Sequence, residues 1–361
     1  MLQSSISNTA QRIVVTGGAG FIGSALIRYL IEHTNAVVLN IDKLTYAVHS
    51  DSLKEAESSD RYSFLQIDIC DAEKLNCVVK DFGPTAIIHL AAESHVDRSI
   101  SGPSDFIQTN IVGTYNLLQA ARLYLDELST AACQDFRFLH VSTDEVYGDL
   151  APNDDAFTES SPYAPSSPYA ASKASSDHLV RAWARTYNLP TLITNCSNNY
   201  GIYQNQEKLI PHVIHCALDG EKLPIYGDGM QIRDWLHVSD HVDALYHVLK
   251  YGTCGETYNI GSNNEIANIE LVNIICDLLE KEAAGSCYSI AGGSKGFRAQ
   301  IKYVTDRAGH DNRYAINNSK LTNELNWTPK VTFEMGLRET VRWYVEQYML
   351  NSSVNSARGE S

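Results

Sequence analysis

Two adjacent carboxylates, Asp144 and Glu145, are the residues of this sequence best suited to acid–base chemistry. They follow an apolar run, residues 138–142, that predicts a buried strand. Successive side chains on an extended strand point to opposite faces, so both acids can face one substrate only if the chain turns here. Carboxyl groups that share a cleft can hold different protonation states, one serving as acid and the other as base. The alternative, which an isolated Asp-Glu pair favours, is a solvated acidic turn.

A second pair, Tyr169 and Lys173, opens a predicted helix over residues 169–187. The two residues are four apart and therefore lie on one helix face. An ammonium group beside a phenol favours the phenolate, so we predict that Lys173 lowers the pKa of Tyr169 and makes it usable as a base. An isolated pair of this kind is more typical of a helix surface, so this prediction depends on what surrounds it.

A glycine-rich turn, residues 17–23, joins a predicted strand at 12–16 to a predicted helix at 21–33. Glycines at 17, 20 and 23 have the spacing needed for a tight turn, a close approach to pyrophosphate and a close helix–strand contact. A second predicted strand ends at Asp42, nineteen residues beyond Gly23. A carboxylate there can accept both ribose hydroxyls and repel a 2′-phosphate, which predicts NAD rather than NADP. The alternative for Asp42 is a turn or helix cap.

The order of predicted elements indicates an α/β fold, a Rossmann-type doubly wound parallel sheet with a smaller C-terminal α/β substrate-binding lobe. We expect residues 11–200 to form the NAD-binding domain, with some later segments returning to it, and residues 201–348 to form mainly the substrate lobe. Residues 1–10 and 351–361 are expected to be flexible tails. The further strands and helices are predicted at 36–41, 63–67, 86–90 and 192–196, and at 72–81 and 105–125.

The composition of the 361 residues is that of a globular protein, with 44% hydrophobic and 20% charged residues. A net charge of −15 argues against a nucleic-acid partner. No apolar run has the length of a membrane span and no signal peptide is recognisable, so we predict a cytoplasmic protein. Eight cysteines without Cys-x-x-Cys spacing and the lack of a His-Glu-x-x-His pattern predict free thiols and no metal site.

The chain resembles the extended short-chain dehydrogenase/reductase family through residues 16–23 and the Tyr169-x-x-x-Lys173 pair. Within it, the sequence is similar to the dTDP-glucose 4,6-dehydratases, and the similarity extends over residues 12–345. Sibling 4-epimerases lack acids at the position of the Asp-Glu pair, so that pair is the discriminating feature. The motifs that carry the similarity are Ser-Thr-Asp-Glu-Val-Tyr-Gly at 142–148, Ala-Ala-Glu-Ser-His-Val-Asp at 91–97, Asn-Cys-Ser-Asn-Asn-Tyr-Gly at 195–201 and Gln-Ile-Arg-Asp-Trp at 231–235.

The resemblance implies conversion of dTDP-glucose to its 4-keto-6-deoxy derivative plus water, with a tightly held NAD regenerated in each turnover. Tyr169 is then the base for the sugar 4-hydroxyl, and Glu145 removes the C5 proton. Asp144 is the acid that protonates the departing 6-hydroxyl. Thr143 hydrogen-bonds the 4-oxygen, and Lys173 orients the nicotinamide ribose.

The same resemblance implies the residues that bind cofactor and substrate. Arg233 and Arg307 are the implied diphosphate partners, because a guanidinium binds phosphate oxygens bidentately; the alternative for Arg233 is an ion pair with Asp234. The cofactor residues are Gly17, Gly20, Phe21, Ile22, Gly23, Asp42, Lys43, Thr45, Asp68, Ile69, Leu90, Ala92, Thr109, Tyr169, Lys173 and Asn199. The substrate residues are Ser94, Thr143, Asn198, Lys208, Leu209, Pro224, Tyr226, Arg233, Asn268, Asp306, Arg307 and His310.

Two segments depart from the family pattern, and we expect both on the substrate side. Ala308 stands where the family has proline, and residues 202–206 replace a proline-containing run. UDP-glucose or another nucleotide sugar therefore stays an alternative to dTDP-glucose. An NAD-dependent 4-epimerase and a non-catalytic NAD-binding sensor are further alternatives, although a sensor has no reason to keep the acids, the tyrosine and the lysine. The family also implies a homodimer, with helices near 105–125 and 169–187 at its interface.

Overall fold

The computed structural model describes residues 11–284 and 296–358, and its centre is a seven-stranded parallel sheet. The strands are β1 Arg12–Thr16, β2 Val37–Asp42, β3 Tyr62–Gln66, β4 Ala86–His89, β5 Arg137–Thr143, β6 Thr191–Cys196, β7 Asn198–Tyr200, β8 Leu223–Tyr226, β9 Ile232–His237, β10 Thr257–Ile260, β11 Glu265–Ala267 and β12 Ile301–Val304. The α-helices are α1 Phe21–His33, α2 Lys54–Glu57, α3 Ala72–Phe82, α4 Val96–Ser101, α5 Ser104–Phe106, α6 Thr114–Asp126, α7 Thr130–Asp135, α8 Pro168–Tyr187, α9 Leu209–Leu218, α10 Val238–Tyr251, α11 Asn268–Ala284, α12 Ser319–Leu325 and α13 Phe333–Arg358.

The strand order in the main sheet is β10-β6-β5-β4-β1-β2-β3, and every neighbouring pair is parallel. Buried residues of α1, α10 and α12 cover one face, and those of α3, α6 and α8 cover the other. This arrangement confirms the doubly wound parallel sheet predicted from the sequence. The chain reverses its winding direction between β1 and β4, and in such sheets ligands bind outside the carboxyl ends of the strands at that point.

The seventh strand of the sheet, β10, comes from residues 257–260, well beyond the predicted end of the first domain. It pairs with β6, so Thr257 lies opposite Ile193. The predicted long helix at 105–125 is also interrupted, because residues Ile107–Gly113 form π-helical turns between α5 and α6. A side chain at Gly113 would lie 2.5 Å from the Ile69 side chain, so glycine permits this close contact.

The last helix, α13, continues to Arg358, which corrects the prediction that a flexible tail begins at residue 351. Neither glycine nor proline occurs between Gly336 and Gly359, so nothing in the sequence stops the helix earlier. The other predicted tail residues, 1–10 and 359–361, lie outside the described residues.

A second hydrophobic core is built around α9, α11 and α13. A three-stranded sheet in the order β11-β9-β7 and a parallel pair of β12 with β8 accompany it. This smaller unit faces the carboxyl ends of β5 and β6, because β7 follows β6 after a single residue. Within the described ranges, no helix combines the length and apolar character needed to cross a bilayer.

Candidate active site

The chain turns where β5 ends, as the two acids require. Residues Asp144–Tyr147 form a 3₁₀ turn, and the Thr143 hydroxyl caps it by accepting a hydrogen bond from the Glu145 amide at 3.3 Å. The turn ends at Gly148, whose φ of 93° favours glycine and where a side chain would meet the Ala164 carbonyl at 2.3 Å. The 3₁₀ turn therefore places both carboxyl groups beside the end of the same strand.

The two carboxyl groups occupy different environments. Asp144 is 2% exposed; its Oδ1 accepts a hydrogen bond from the Thr143 hydroxyl at 3.3 Å, and its Oδ2 has no partner. Burial, followed by the charges of Glu145 and Asp234, raises the pKa of Asp144 well above its ordinary value. Glu145 lines the cleft, and burial raises its pKa as well, but the cations of Arg307, Lys208 and Arg233 oppose that rise. Asp144 is thus suited to be the protonated acid, and Glu145 is suited to be the deprotonated base.

Tyr169 and Lys173 line the same cleft as Glu145 and lie in the first turns of α8. The prediction that Lys173 lowers the pKa of Tyr169 is wrong for the described structure, because burial raises that pKa well above its ordinary value and Glu145 adds to the effect. The Lys173 ammonium instead donates to the Val141 carbonyl at 2.9 Å. The Thr143 hydroxyl is the group whose hydrogen bond favours the Tyr169 phenolate.

The glycine-rich turn has the three contacts expected of a dinucleotide-binding turn. Gly17 has a φ of 71°, and a side chain there would lie 2.6 Å from the backbone of Ala91. A side chain at Gly23 would lie 2.1 Å from the Gly17 carbonyl oxygen. Gly20 lines the cleft, and a side chain there would meet only the Gly17 carbonyl, at 3.4 Å. Since α1 begins directly after Gly20 without a side-chain cap, its first N–H groups are available to phosphate oxygens.

Asp42 also lines this cleft, at the end of β2. One of its carboxylate oxygens accepts from the Ala19 amide at 2.9 Å and the other from the Leu44 amide at 2.8 Å. These two bonds fix the orientation of the carboxylate and leave further lone pairs for ribose hydroxyls. Lys43 donates to the Thr109 hydroxyl at 3.1 Å and pairs with Glu93 at 3.4 Å, so it joins two strand ends across the cleft.

Most of the predicted cofactor residues surround a single cleft. The predicted residues that line it are Gly17, Gly20, Phe21, Ile22, Gly23, Asp42, Lys43, Thr45, Ile69, Leu90, Ala92, Ser94, Thr109, Thr143, Glu145, Tyr169, Lys173, Asn198, Asn199 and Lys208. Asp68 is adjacent to it but accepts from the Cys70 amide at 2.9 Å. The glycine contacts and the fixed carboxylate at Asp42 fit a dinucleotide.

The predicted substrate residues that do not line this cleft form a second group, mostly around β8, β9 and the loop after β12. In this group Asp306 accepts from Gln231 at 2.9 Å and pairs with His310 at 2.6 Å, and the side-chain oxygen of Asn268 is buried without a partner. Arg307 also belongs to this group: it pairs with Asp97 at 3.3 Å, and its buried Nε has no hydrogen-bond partner among the residues that the structure describes. The group also contains Leu209, Pro224 and Tyr226, which lie outside the lining of the first cleft.

Arg233 is not paired with Asp234, the alternative left open by the sequence. Its guanidinium donates to the carbonyls of Ile232 at 2.7 Å and Asp311 at 2.9 Å, and it lies over the Tyr314 ring at 4.2 Å. Asp234 accepts instead from Ser262 and Asn264. The Arg233 charge thus reaches Glu145 and Asp144 without a neutralising partner beside it.

Residues 202–206, expected on the substrate side, also contact the cofactor side of the cleft. Gln204 and Asn205 line the cleft, and the Asn205 amide donates to the Tyr46 carbonyl at 3.1 Å, on the loop that follows Asp42. Tyr203 packs its ring 4.9 Å from that of His49 and 4.8 Å from that of Trp343. The segment therefore joins the substrate-side core to the cofactor loop. Aromatic spacing alone could not indicate this contact, because the three rings are far apart in sequence.

Comparisons with known proteins agree with this geometry. The family model described as GDP-mannose 4,6 dehydratase matches residues 14–340. A curated dTDP-glucose 4,6-dehydratase from Neisseria meningitidis serogroup B is 57% identical over 96% of this chain and 98% of that protein. One from Haemophilus influenzae is 58% identical over 92% of this chain and 97% of that protein. A solved structure of a Streptomyces venezuelae dTDP-glucose 4,6-dehydratase with NAD and TYD bound is 44% identical, covers 93% of this chain and 97% of that chain, and has a TM-score of 0.83.

Proposed function

This chain belongs to the GDP-mannose 4,6 dehydratase family, and on that basis we propose that it is a hydro-lyase that converts dTDP-glucose to dTDP-4-keto-6-deoxyglucose and water. The observation that carries the proposal is the pair of carboxyl groups on the turn after β5. Asp144 is buried, which raises its pKa and favours the protonated form, while Glu145 faces the cleft that Tyr169 and Lys173 also line. An epimerase moves only a hydride and a hydroxyl proton, whereas dehydration also needs a base at C5 and an acid at the 6-oxygen.

Each of these side chains has one part in the reaction. Tyr169 accepts the proton of the 4-hydroxyl while C4 is oxidised; burial and the Glu145 charge raise the pKa of Tyr169, and the Thr143 hydroxyl opposes that rise. The resulting 4-ketone acidifies the C5 proton, which Glu145 removes. Asp144 donates its proton to the 6-oxygen as water leaves, and Glu145 then returns a proton to C5. Removal at C5 and delivery at the 6-oxygen occur in the same elimination, so two carboxyl groups are needed.

NAD is the cofactor of this reaction, and bound in the cleft it supplies the hydride acceptor at C4 and, once reduced, the hydride donor to C6. The N–H groups at the start of α1 are placed to bind its pyrophosphate, and Asp42 its adenosine ribose. Lys173, whose ammonium is fixed on the Val141 carbonyl, is placed to orient the nicotinamide ribose. The substrate and the product are at the same overall oxidation level, so the reaction would need no external oxidant or reductant.

The cationic side chains near Glu145 are the candidates for binding the substrate diphosphate. Lys208 donates to the Ser94 carbonyl at 2.9 Å, and it acts on the Glu145 carboxylate together with Arg307 and Arg233. The unpartnered Nε of Arg307 supports a role in binding phosphate, since a buried guanidinium donor without a partner is costly. By contrast, the Arg233 guanidinium already donates hydrogen bonds to two backbone carbonyls. We therefore propose that it attracts the diphosphate by its charge, while Arg307 forms the hydrogen bonds.

The homodimer and the cytoplasmic location belong to the same proposal. Apolar side chains are exposed along the helices expected at the interface, with Ile107 at 47%, Leu123 at 45% and Tyr187 at 47%. Pairing these helices with a second copy would cover that surface. The exposed thiols of Cys77 and Cys254 are free, as is usual in a reducing compartment.

The decisive experiment incubates the purified protein with a panel of dTDP-glucose, UDP-glucose, GDP-mannose and a CDP-sugar, and identifies the products by mass and by NMR. We expect a 4-keto-6-deoxy product from dTDP-glucose, formed without added reductant. Faster turnover of UDP-glucose would show that UDP is the preferred nucleotide, the alternative left open because Ala308 stands where the family has proline. Recovery of dTDP-galactose would establish the epimerase, and NAD binding without turnover of any sugar would establish the sensor.

A further inference from the structure

Behind the catalytic side chains, α8 carries a buried carboxylate, Asp177, to which the reaction above assigns no part. Tyr169, Lys173 and Asp177 are spaced four residues apart, so all three lie on the helix face that packs on the sheet. Asp177 is 0% exposed and Lys173 is 4% exposed. A carboxylate and an ammonium so far from water are normally present as partners.

Asp177 receives hydrogen bonds from two neighbouring elements. The Tyr163 hydroxyl donates to its Oδ2 at 2.8 Å, and Tyr163 in turn accepts from Arg181 at 2.7 Å. The Asn195 amide lies 3.4 Å from the same oxygen and donates to the Thr143 carbonyl at 3.0 Å. Through Asn195, the carboxylate is therefore connected to the strand end that carries the acid pair.

Lys173 is the charge that balances Asp177. His140 Nε2 lies 3.2 Å from Asp177 Oδ1, but burial lowers the pKa of His140 to about 4, so this imidazole is neutral at pH 7. His89 is neutral for the same reason and bonds the hydroxyls of Thr16 and Thr114. Burial lowers the pKa of Lys173, and the charge of Asp177 opposes that lowering.

The remaining titratable groups near the pair are accounted for. Tyr147 and Tyr163 have pKa values raised by burial and stay neutral, and burial also raises the pKa of the Cys196 thiol. Arg181 faces Tyr163 and Thr257 rather than the carboxylate itself. Since His140 is neutral at pH 7, Lys173 is, among the described residues, the ionised base whose charge favours the Asp177 carboxylate, although the two groups are not within 4.0 Å of each other.

We propose that Asp177 is a positioning residue, the buried counter-ion that keeps Lys173 charged and, through Asn195, fixes the end of β5 where Thr143 and the two acids lie. The inference rests on the proposed function for its kinetic consequences, but not for the existence of the pair. It assigns to the helix a third functional residue beyond the tyrosine and the lysine.

The test is the pH dependence of kcat in Asp177→Asn, which removes the charge and keeps the shape. Lys173 acts as a cation, so activity that depends on it is lost as pH rises through its pKa. Without Asp177 the pKa of Lys173 falls, so the alkaline limb of the kcat profile should move to lower pH by at least about one unit. At a pH above the alkaline limbs of both proteins, this shift corresponds to a kcat about tenfold lower than that of wild type. Tyr163→Phe is the matched control, because it removes the 2.8 Å hydrogen bond but not the charge, and its limb should stay with the wild type.

An equal loss of kcat at every pH, with the limb unmoved, would overturn the proposal and leave Asp177 a structural residue. Should Asp177→Asn fold too poorly for kinetics, its thermal midpoint is compared with that of the Lys173→Met/Asp177→Asn double variant. A true pair makes the double variant the more stable of the two, because no uncompensated ammonium is left buried. A double variant no more stable than Asp177→Asn would refute the pairing. This comparison needs no substrate, so it separates failure of the pair from failure of the proposed reaction.

Discussion

Replacing Asp144 by asparagine should slow catalysis strongly and yet stabilise the protein at neutral pH. The change keeps the shape of the side chain, and the amide oxygen can still accept the hydrogen bond of the Thr143 hydroxyl. What disappears is a titrating group that is 2% exposed. Losing the proton donor for the 6-oxygen should lower kcat by about 10²- to 10⁴-fold, the usual contribution of a general acid.

The gain in stability follows from the raised pKa of Asp144. Above pH 3.8, the ordinary value of such a group, the unfolded chain releases the proton while the folded protein retains it. As the pH rises above 3.8, the free energy of unfolding of wild type therefore falls by about 1.4 kcal/mol per pH unit, until the pH reaches the raised pKa of the folded protein. Asparagine carries no such dependence. The free energy of unfolding of Asp144→Asn minus that of wild type should thus grow by about 1.4 kcal/mol for each pH unit across this range.

The assay is denaturant unfolding of both proteins at pH 5, 6 and 7 with the same concentration of NAD. The pKa of Glu145 is also raised, but mainly by burial, so its effect is common to both proteins and cancels in the difference. Asp155→Asn, the same change at an exposed aspartate, is the control and should show a difference near zero at every pH. A difference for Asp144→Asn that stays constant with pH, or a variant less stable than wild type at pH 7, would refute the assignment of Asp144 as a protonated acid.

Four further predictions concern the base and the cofactor site. Glu145→Gln should block incorporation of solvent deuterium at C5 while still permitting some oxidation at C4, and deuterium entering at the wild-type rate would remove its role as base. Gly23→Ala should destabilise the fold by about 1–3 kcal/mol in thermal unfolding, because the methyl group would lie 2.1 Å from the Gly17 carbonyl. Gly20→Ala should keep the stability, since its nearest neighbour is 3.4 Å away, but weaken NAD binding measured by calorimetry. Asp42→Ala should reduce the preference for NAD over NADP in binding titrations, and an unchanged preference would contradict the role of this carboxylate.

The parts of the fold that sequence reasoning predicts are those encoded locally. Apolar runs such as residues 12–16 become central strands, and the glycines mark the turn that follows. The adjacency of Asp144 and Glu145 requires a turn, which the structure confirms as a 3₁₀ segment capped by Thr143. Each of these features depends on neighbours within a few residues.

Features that depend on distant partners are not predicted in this way. β10 is a four-residue strand whose place is set by pairing with β6, more than fifty residues earlier in the chain. The pKa of Tyr169 illustrates the same limit, because the burial that raises it is created by tertiary packing that helix spacing does not reveal. Asp177 is a third case: its position, four residues after Lys173, is visible in sequence, but the two contacts that bury it come from Tyr163 and Asn195.

The threonine that caps the turn after β5 also bears on how the enzyme returns to its starting state. In the proposed reaction Tyr169 gains the proton of the 4-hydroxyl and Asp144 gives one up to the departing water, whereas Glu145 ends as it began. One proton must therefore pass from the phenol to the buried carboxylate before the next sugar can react. The Thr143 hydroxyl donates to Asp144 and is also the neighbour that lowers the pKa of Tyr169; having one hydrogen, it can donate to only one of the two groups at a time. The proposed reaction returns its hydride to the sugar within one turnover, but the protonation states of these side chains are restored only between turnovers.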